Sequence, residues 1–292
     1  MNNTTHVLGL SGGKDSSALA IYMKDNYPDL DIKYFFTDTG EELKEVYDYL
    51  DKLEAYLGKP IARLNQIDEM RQGSKTQFEK FMHRYNNFLP SPTARWCTIE
   101  MKLKPFEKWV QQFVDDGKNV ISYVAIRADE KRLGYKSTND SIAVKFPFVE
   151  DNIDKEKVSN ILDESGLGLP GYYKWRSRSG CSFCFFQQKI EWVRLSEEHP
   201  ELFKRAQRLE KTALDNDSPF TWVQKETLGD LIKPERVKKI KEDFRLRLER
   251  ERKNKQKRMS RNPFLEENTI KKSDIEEVYG DDISSSCLIC HK

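Results

Sequence analysis

Short apolar runs alternate with amphipathic stretches through the first half of the chain. Val7 to Leu10 reads as a buried strand, and Asp15 to Asp25 follows at helical spacing, offering Ala18, Leu19, Ile21 and Tyr22 for packing. Ile32 to Phe36 predicts a second strand, about Glu42 to Leu57 a second helix, Pro60 to Leu64 a third strand and Val120 to Ile126 a fourth. Strands separated by helices at this spacing form βαβ units. The expected fold class is therefore α/β, a mostly parallel twisted sheet with helices on both faces.

Beyond Pro170-Gly171 the pattern changes. Residues 172–185 are rich in aromatic, Arg, Ser and Cys residues, and a helical stretch with Glu191-Trp192-Val193 as core runs to about Leu214. Pro234 to Arg261 is a charge-dense helix, to which Ile240, Phe244 and Leu248 give a packing face. A polar spacer leads to a tail with Cys287-Leu288-Ile289-Cys290-His291. The expected organisation is an α/β domain over 1–171, a Cys-containing helical region over 172–233, and a charged helix with its tail over 234–292.

Composition narrows the classes. A hydrophobic fraction of 37% supports a core, and a net charge of +2 excludes a globally basic surface while leaving room for local patches. No apolar run approaches the roughly 18–20 residues that span a bilayer, so no membrane partner is expected. The opening residues lack a basic segment followed by a long apolar run, which predicts a cytoplasmic protein without a signal peptide. Of the five cysteines, four fall in Cys181-x-x-Cys184 and Cys287-x-x-Cys290. That usage fits metal or redox chemistry in a reducing compartment better than a secreted disulfide framework.

The sharpest local signal is Ser11-Gly12-Gly13-Lys14-Asp15-Ser16, set between a strand and a helix. Glycines let backbone turn tightly beside a ligand, N–H groups point inward, and the helix N-terminus adds positive potential, which together make an anion site. Lys14 is placed to neutralise phosphate charge, Ser11 and Ser16 to donate hydroxyl hydrogen bonds, and Asp15 to help hold Mg²⁺. The loop is not a Walker A motif, because Leu8 stands where the first glycine belongs and Asp15 follows Lys14.

Ser-Gly-Gly-Lys-Asp-Ser after a first strand resembles the PP-loop of the adenine nucleotide α-hydrolases, whose members cleave ATP between the α and β phosphates or bind adenylated sulfate. Later segments resemble the phosphoadenosine phosphosulfate (PAPS) reductase branch in the same order along the chain. These are Phe35-Phe36-Thr37-Asp38-Thr39-Gly40-x-Glu42, then Cys97-x4-Lys102-x-x-Pro105, then Ile126-Arg127-Ala128-Asp129-Glu130-x-Arg132, and finally Gly180-Cys181-x-x-Cys184. Two departures stand out. The Glu-Cys-Gly-Leu-His segment of the sulfonucleotide reductases is absent, and the Cys-Cys pair of iron–sulfur members has Thr98 as its second residue. Both favour a sulfur-transferring relative similar to the ATP pyrophosphatases of DNA phosphorothioation systems over a plain reductase.

The resemblance implies an enzyme that binds ATP (or PAPS) through Ser11 to Ser16 and releases pyrophosphate in forming an adenylate, with sulfur delivered at a cysteine site. In that reading Lys14, Asp15, Cys97 and Lys102 carry the chemistry. Asp38, Thr39 and Gly40 lie beside the nucleotide, and Arg127 and Arg132 neutralise phosphate or sulfate oxygens. A thiol-dependent PAPS reductase and a nucleotide-binding subunit of a larger complex are the alternatives. The implied partners are an adenine nucleotide, a sulfur donor such as a cysteine desulfurase, and a nucleic acid or protein complex.

The cysteines leave two metal sets open. Cys181, Cys184, Cys287 and Cys290 supply four thiolates, enough for Zn²⁺ or a cluster, although 102 residues separate the pairs. The resemblance implies instead Cys97, Cys181 and Cys184 around a 4Fe–4S cluster, with the fourth position open or filled from the tail. Two further stretches also allow two readings. Tyr173, Trp175, Arg176 and Arg178 form either a surface for phosphate or base stacking or an ordinary core edge. From Lys233 to Arg261, fourteen Lys or Arg stand against five Asp or Glu. That helix either lies along a nucleic-acid backbone or is solvated and laced with pairs such as Glu249 with Lys253 and Glu251 with Lys255, and its packing face favours the second.

Overall fold

Strands β1 (Thr4–Leu10), β2 (Ile32–Thr37), β3 (Ile61–Leu64), β4 (Asn119–Tyr123) and β5 (Ile142–Lys145) all run parallel, in the order β3-β2-β1-β4-β5. The computed structural model describes residues 3–65, 76–130, 132, 134, 137, 139–177, 180–218 and 220–261, with side chains through Asn254. Helix α1 (Lys14–Asn26) joins β1 to β2, and α2 (Lys44–Leu57) joins β2 to β3. Between β3 and β4 come α3 (Gln77–Arg84), a short α4 (Trp96–Thr98), a π-helical turn over Ile99–Leu103 and α5 (Lys104–Asp115).

A parallel sheet must be covered on both faces, and alternation along β1 shows how. Leu8 and Leu10 join Tyr34 and Phe36 in the larger core, whereas Val7 joins Phe35, Val110 and Val120 in a smaller one on the opposite face. There the Phe35 ring lies 4.9 Å from Phe106 and 5.2 Å from Trp109, both on α5. Each such side chain contributes about 1.5–3 kcal/mol on full burial.

After the sheet come α6 (Pro147–Glu150), α7 (Lys155–Glu164), a 3₁₀ turn over Gly171–Lys174, α8 (Lys189–Glu198), α9 (Pro200–Asp215), α10 (Leu228–Leu231) and α11 (Pro234–Arg261). One apolar core runs from Leu8 through Tyr172 and Trp192 to Ile240, so residues from all three sequence regions share it. No helix among the described residues is long and apolar enough to cross a membrane.

The differences from the sequence expectation have local causes. The fourth strand stops at Tyr123, because the Ile126 N–H turns back to the Val124 carbonyl at 3.0 Å. The helical stretch expected through Leu214 is two helices, since Pro200 lacks an N–H and starts α9 afresh. Helices α3 to α5 and the short edge strand β5 are additional to the expected elements, although α5 carries Phe106, Trp109, Val110 and Phe113 at helical spacing. Along α11, Arg245 pairs with Glu249 and Arg247 with Glu251, the same spacing as the expected pairs in the opposite order, while the side chain of Lys255 lies outside the described residues.

Candidate active site

The loop Ser11 to Ser16 lies at the C-terminal end of β1, between β2 and β4, where the connections leave in opposite directions. In doubly wound sheets that crevice is where ligands bind. Gly12 adopts φ +66°, and a Cβ there would fall 2.5 Å from Val46 Cγ1. Gly13 caps α1 with no side-chain hydrogen bond, which leaves the positive end of the helix for a ligand.

The serines expected to meet phosphate are turned inward. Ser11 Oγ and Ser16 Oγ lie 3.0 Å apart, the Gly13 N–H donates to Ser11 Oγ, and Ser16 and Ser17 donate to the Gly13 carbonyl at 3.3 and 2.8 Å. Their hydroxyls brace the loop. Two stacked tyrosines support it from the 3₁₀ turn: Tyr172 Oη donates to the Gly12 carbonyl at 3.2 Å, and the Lys14 N–H donates to Tyr173 Oη at 3.3 Å.

Asp15 joins two cations. Lys14 Nζ lies 2.7 Å and Arg127 Nη1 2.9 Å from its Oδ1, and Arg127 also holds Asp129 and Glu130. Burial pushes the Asp15 carboxyl up, but Lys14 and Arg127 outweigh it and hold the group below the usual carboxylate range. Burial lowers the Lys14 ammonium, with Arg127 adding to the effect and Asp15 resisting it. At Asp15, where Mg²⁺ is expected, both cations sit on the same carboxylate oxygen, Oδ1. Arg127, expected to face phosphate oxygens, is engaged by Asp15, Asp129 and Glu130, whereas Arg132 pairs with Glu130 and keeps a buried Nη1 without a hydrogen-bond partner among the described residues.

Beside the loop, Asp38 accepts from Tyr47 Oη at 2.7 Å and from the Gly40 N–H at 2.8 Å, and Thr39 Oγ1 donates to Glu42 at 2.8 Å. Glu42 is paired through the backbone with Cys181, as the neighbouring Leu43 N–H donates to the Gly180 carbonyl and the Ser182 N–H to the Glu41 carbonyl. Gly180 permits this approach, because a Cβ there would fall 2.3 Å from Val46 Cγ2. Burial, Glu42 and Cys184 raise the Cys181 thiol, while Lys102, carried on the π-helical turn, pulls it down. The structure thus brings Cys181, Cys184 and Lys102 into one neighbourhood with Glu42.

Cys97 sits on α4, packed against the core. Its segment runs beside the cysteine turn, with the Arg95 guanidinium 5.3 Å from the Phe186 ring. Even so, among the described residues no group of three or more His, Cys, Asp or Glu has a metal-binding arrangement. The two thiols of the turn are thus an incomplete ligand set for a 4Fe–4S cluster or Zn²⁺, and Cys287 and Cys290 lie outside the described residues. Of the two readings open for the stretch beside the cysteines, the core edge holds for Tyr173, Trp175 and Arg176, which are buried, and Arg176 Nη2 donates to the Cys181 carbonyl at 2.7 Å. Arg178 lies outside the described residues. Sequence reasoning missed Val46, Tyr172 as a brace, and the bidentate Arg205–Glu41 pair (2.6 and 2.7 Å) that ties α9 to the loop after β2. Nothing local in the sequence marks these contacts.

Residues 5–141 match the phosphoadenosine phosphosulfate reductase domain. The chain is 24% identical over 234 residues to one uncharacterised protein of Methanocaldococcus jannaschii and 26% identical over 207 residues to another. These matches cover 75% and 67% of this chain but only 44% and 45% of those proteins, so the chain spans under half their length. An uncharacterised 37.8 kDa protein of Escherichia phage 186 is 25% identical, over 72% of this chain and 75% of its own. Among solved structures, PAPS reductase from Candida auris in a phosphate complex gives a TM-score of 0.41 at 16% identity, covering 58% of this chain and 76% of that one. The U34-tRNA thiolase NcsA from Methanococcus maripaludis with its 4Fe–4S cluster gives 0.40 at 12%, covering 74% and 72%.

Two outcomes are expected from the packing and the charges. Gly180→Ala should lower stability by about 1–3 kcal/mol through overpacking against Val46. Combined with Val46→Ala, it should cost less than the two separate losses added together, as read from denaturation midpoints. Arg127→Met should lower stability by about 3–5 kcal/mol by leaving Asp15 and Glu130 short of a buried partner. Because the Asp15 pKa is depressed when folded, its contribution is full above the ordinary value of 3.8 and is lost as pH falls below it. Asp15→Asn should therefore flatten the acid end of the stability profile.

Proposed function

Starting from the PAPS reductase-like domain of residues 5–141, a branch of the adenine nucleotide α-hydrolases, we propose that this chain binds ATP at the Ser11–Ser16 loop and cleaves it between the α and β phosphates, activating an acceptor for sulfur transfer. The observation that carries this reading is the sharing of Asp15. Lys14 can turn from Asp15 toward a phosphate without stranding a buried charge, because Arg127 stays on the same oxygen. A lysine paired with that carboxylate alone would leave a costly unpaired anion behind on moving.

In the reaction an acceptor oxygen attacks the α-phosphorus. The bond to the bridging oxygen breaks, and pyrophosphate leaves with the electron pair. Lys14 and the N-terminus of α1 would stabilise the charge developing on the phosphates, the largest contribution in such chemistry. Asp38, at the end of β2, would face the nucleoside side of the crevice. The Cys181–Cys184 turn stands next to the loop, joined to it through Val46, and would serve sulfur delivery.

The reductase alternative requires a thiolate nucleophile, and the Glu-Cys-Gly-Leu-His segment characteristic of sulfonucleotide reductases is absent from this chain. Sulfite release dependent on thioredoxin would favour the reductase over the transfer reading. Tight ATP binding without turnover on any acceptor would favour the subunit reading.

Lys14→Ala should remove one charge-assisted contact, about 1.5–3 kcal/mol, and so weaken ATP binding roughly 10- to 100-fold by calorimetry in a folded protein. Unchanged affinity would remove the loop from nucleotide binding. Product analysis should give AMP and pyrophosphate, and ADP with orthophosphate as the main products would refute cleavage at the α-phosphate.

A further inference from the structure

Helix α11 runs antiparallel to α8. Lys241 pairs with Glu197 at the far end of α8, Phe244 packs under Arg194, and Arg247 Nη2 donates at 2.8 Å to Gln188, the residue that caps the start of α8. The remainder of α11 therefore continues past the start of α8, on the side from which the cysteine turn enters. The twelve residues from Arg250 to Arg261 extend it by about 18 Å. They carry seven Lys or Arg against one acid, Glu251, and that acid pairs back to Arg247. Arg250 and Lys253 are exposed.

The base of this projection adjoins an aromatic step. Phe185 and Phe186, with ring centroids 4.5 Å apart, follow Cys184 directly, and Arg95 covers Phe186. Phe186 stands two residues before Gln188, where Arg247 is anchored. We propose that α11 beyond Arg247 and the Arg95–Phe186 step form a track for single-stranded nucleic acid leading to the cysteine turn. Phosphates lie along the helix, and an unpaired base stacks on the step. Basic residues beside half-buried aromatic rings are the combination that grips a single strand. Met259 is the one apolar residue in the projection, so it lacks the apolar face with which an amphipathic helix enters a membrane. An acidic protein would use the charge but gain nothing from the stacked rings. The track deepens the proposed function, since it names the acceptor that would meet the thiols, and it rests on that reading for this consequence alone.

Fluorescence anisotropy of the full chain with labelled single-stranded RNA and DNA of about 16 nucleotides tests it, with ATP affinity measured on the same preparations. Arg250→Glu with Lys253→Glu should weaken binding at least about tenfold and reduce the slope of log affinity against log salt by about 1.4. Phe186→Ala should weaken it about fivefold or more with the slope unchanged, because stacking releases no counterions. ATP affinity should be the same in all of them. The track is overturned if these substitutions leave binding unchanged, if duplex binds as tightly as single strand, or if polyglutamate displaces the strand as well as a second oligonucleotide does. Loss of ATP binding alone, with the oligonucleotide results as stated, would refute the nucleotide reading and support the track.

Discussion

Val46 fixes how close the two functional backbones stand. One of its methyl groups fills the space beside Gly12 in the loop after β1, and the other fills the space beside Gly180 in the cysteine turn. Neither position tolerates a Cβ without displacement, so a single side chain of α2 sets the spacing of a loop and a turn 168 residues apart in sequence. The backbone pairing of Glu41 to Leu43 with Gly180 to Ser182 and the tyrosine braces under the loop add hydrogen bonds to a separation that packing has already determined.

Charge is organised around the same frame. Asp15 is buried yet ionised because two cations share it, and each would be costly to bury alone. Sharing gives the site a rigid half and a movable half: Arg127 is locked by Asp15, Asp129 and Glu130, while Lys14 has no other carboxylate partner among the described residues. The inward-facing serines serve the same end, holding the loop's shape with internal hydrogen bonds.

The helical region after residue 171 does more than cover the sheet. Its 3₁₀ turn braces the loop, Arg176 holds the carbonyl of Cys181, and α9 reaches back through Arg205 to Glu41. The antiparallel pairing of α8 and α11 then carries a basic helix past the start of α8, the helix that the cysteine turn leads into.

Residues close in sequence specify the alternation of strands and helices, the glycine loop between β1 and α1, the Cys181–Cys184 turn and the extent of α11. Each is written in residues close together in the chain: apolar periodicity, a glycine pair before a helix, a cysteine spacing, a proline at a helix start. Tertiary structure alone decided the rest. Whether Trp175 and Arg176 face solvent or core depends on which elements close over them, and an aromatic–arginine run is compatible with either. Arg127 was legible as a basic residue in the right segment, but its partner Asp15 lies 112 positions away, so its commitment to a carboxylate left no local trace. Val46 looked like any apolar residue on the buried face of α2. Its importance comes from two glycines on other segments, and contact across such distances is set by how the layers stack.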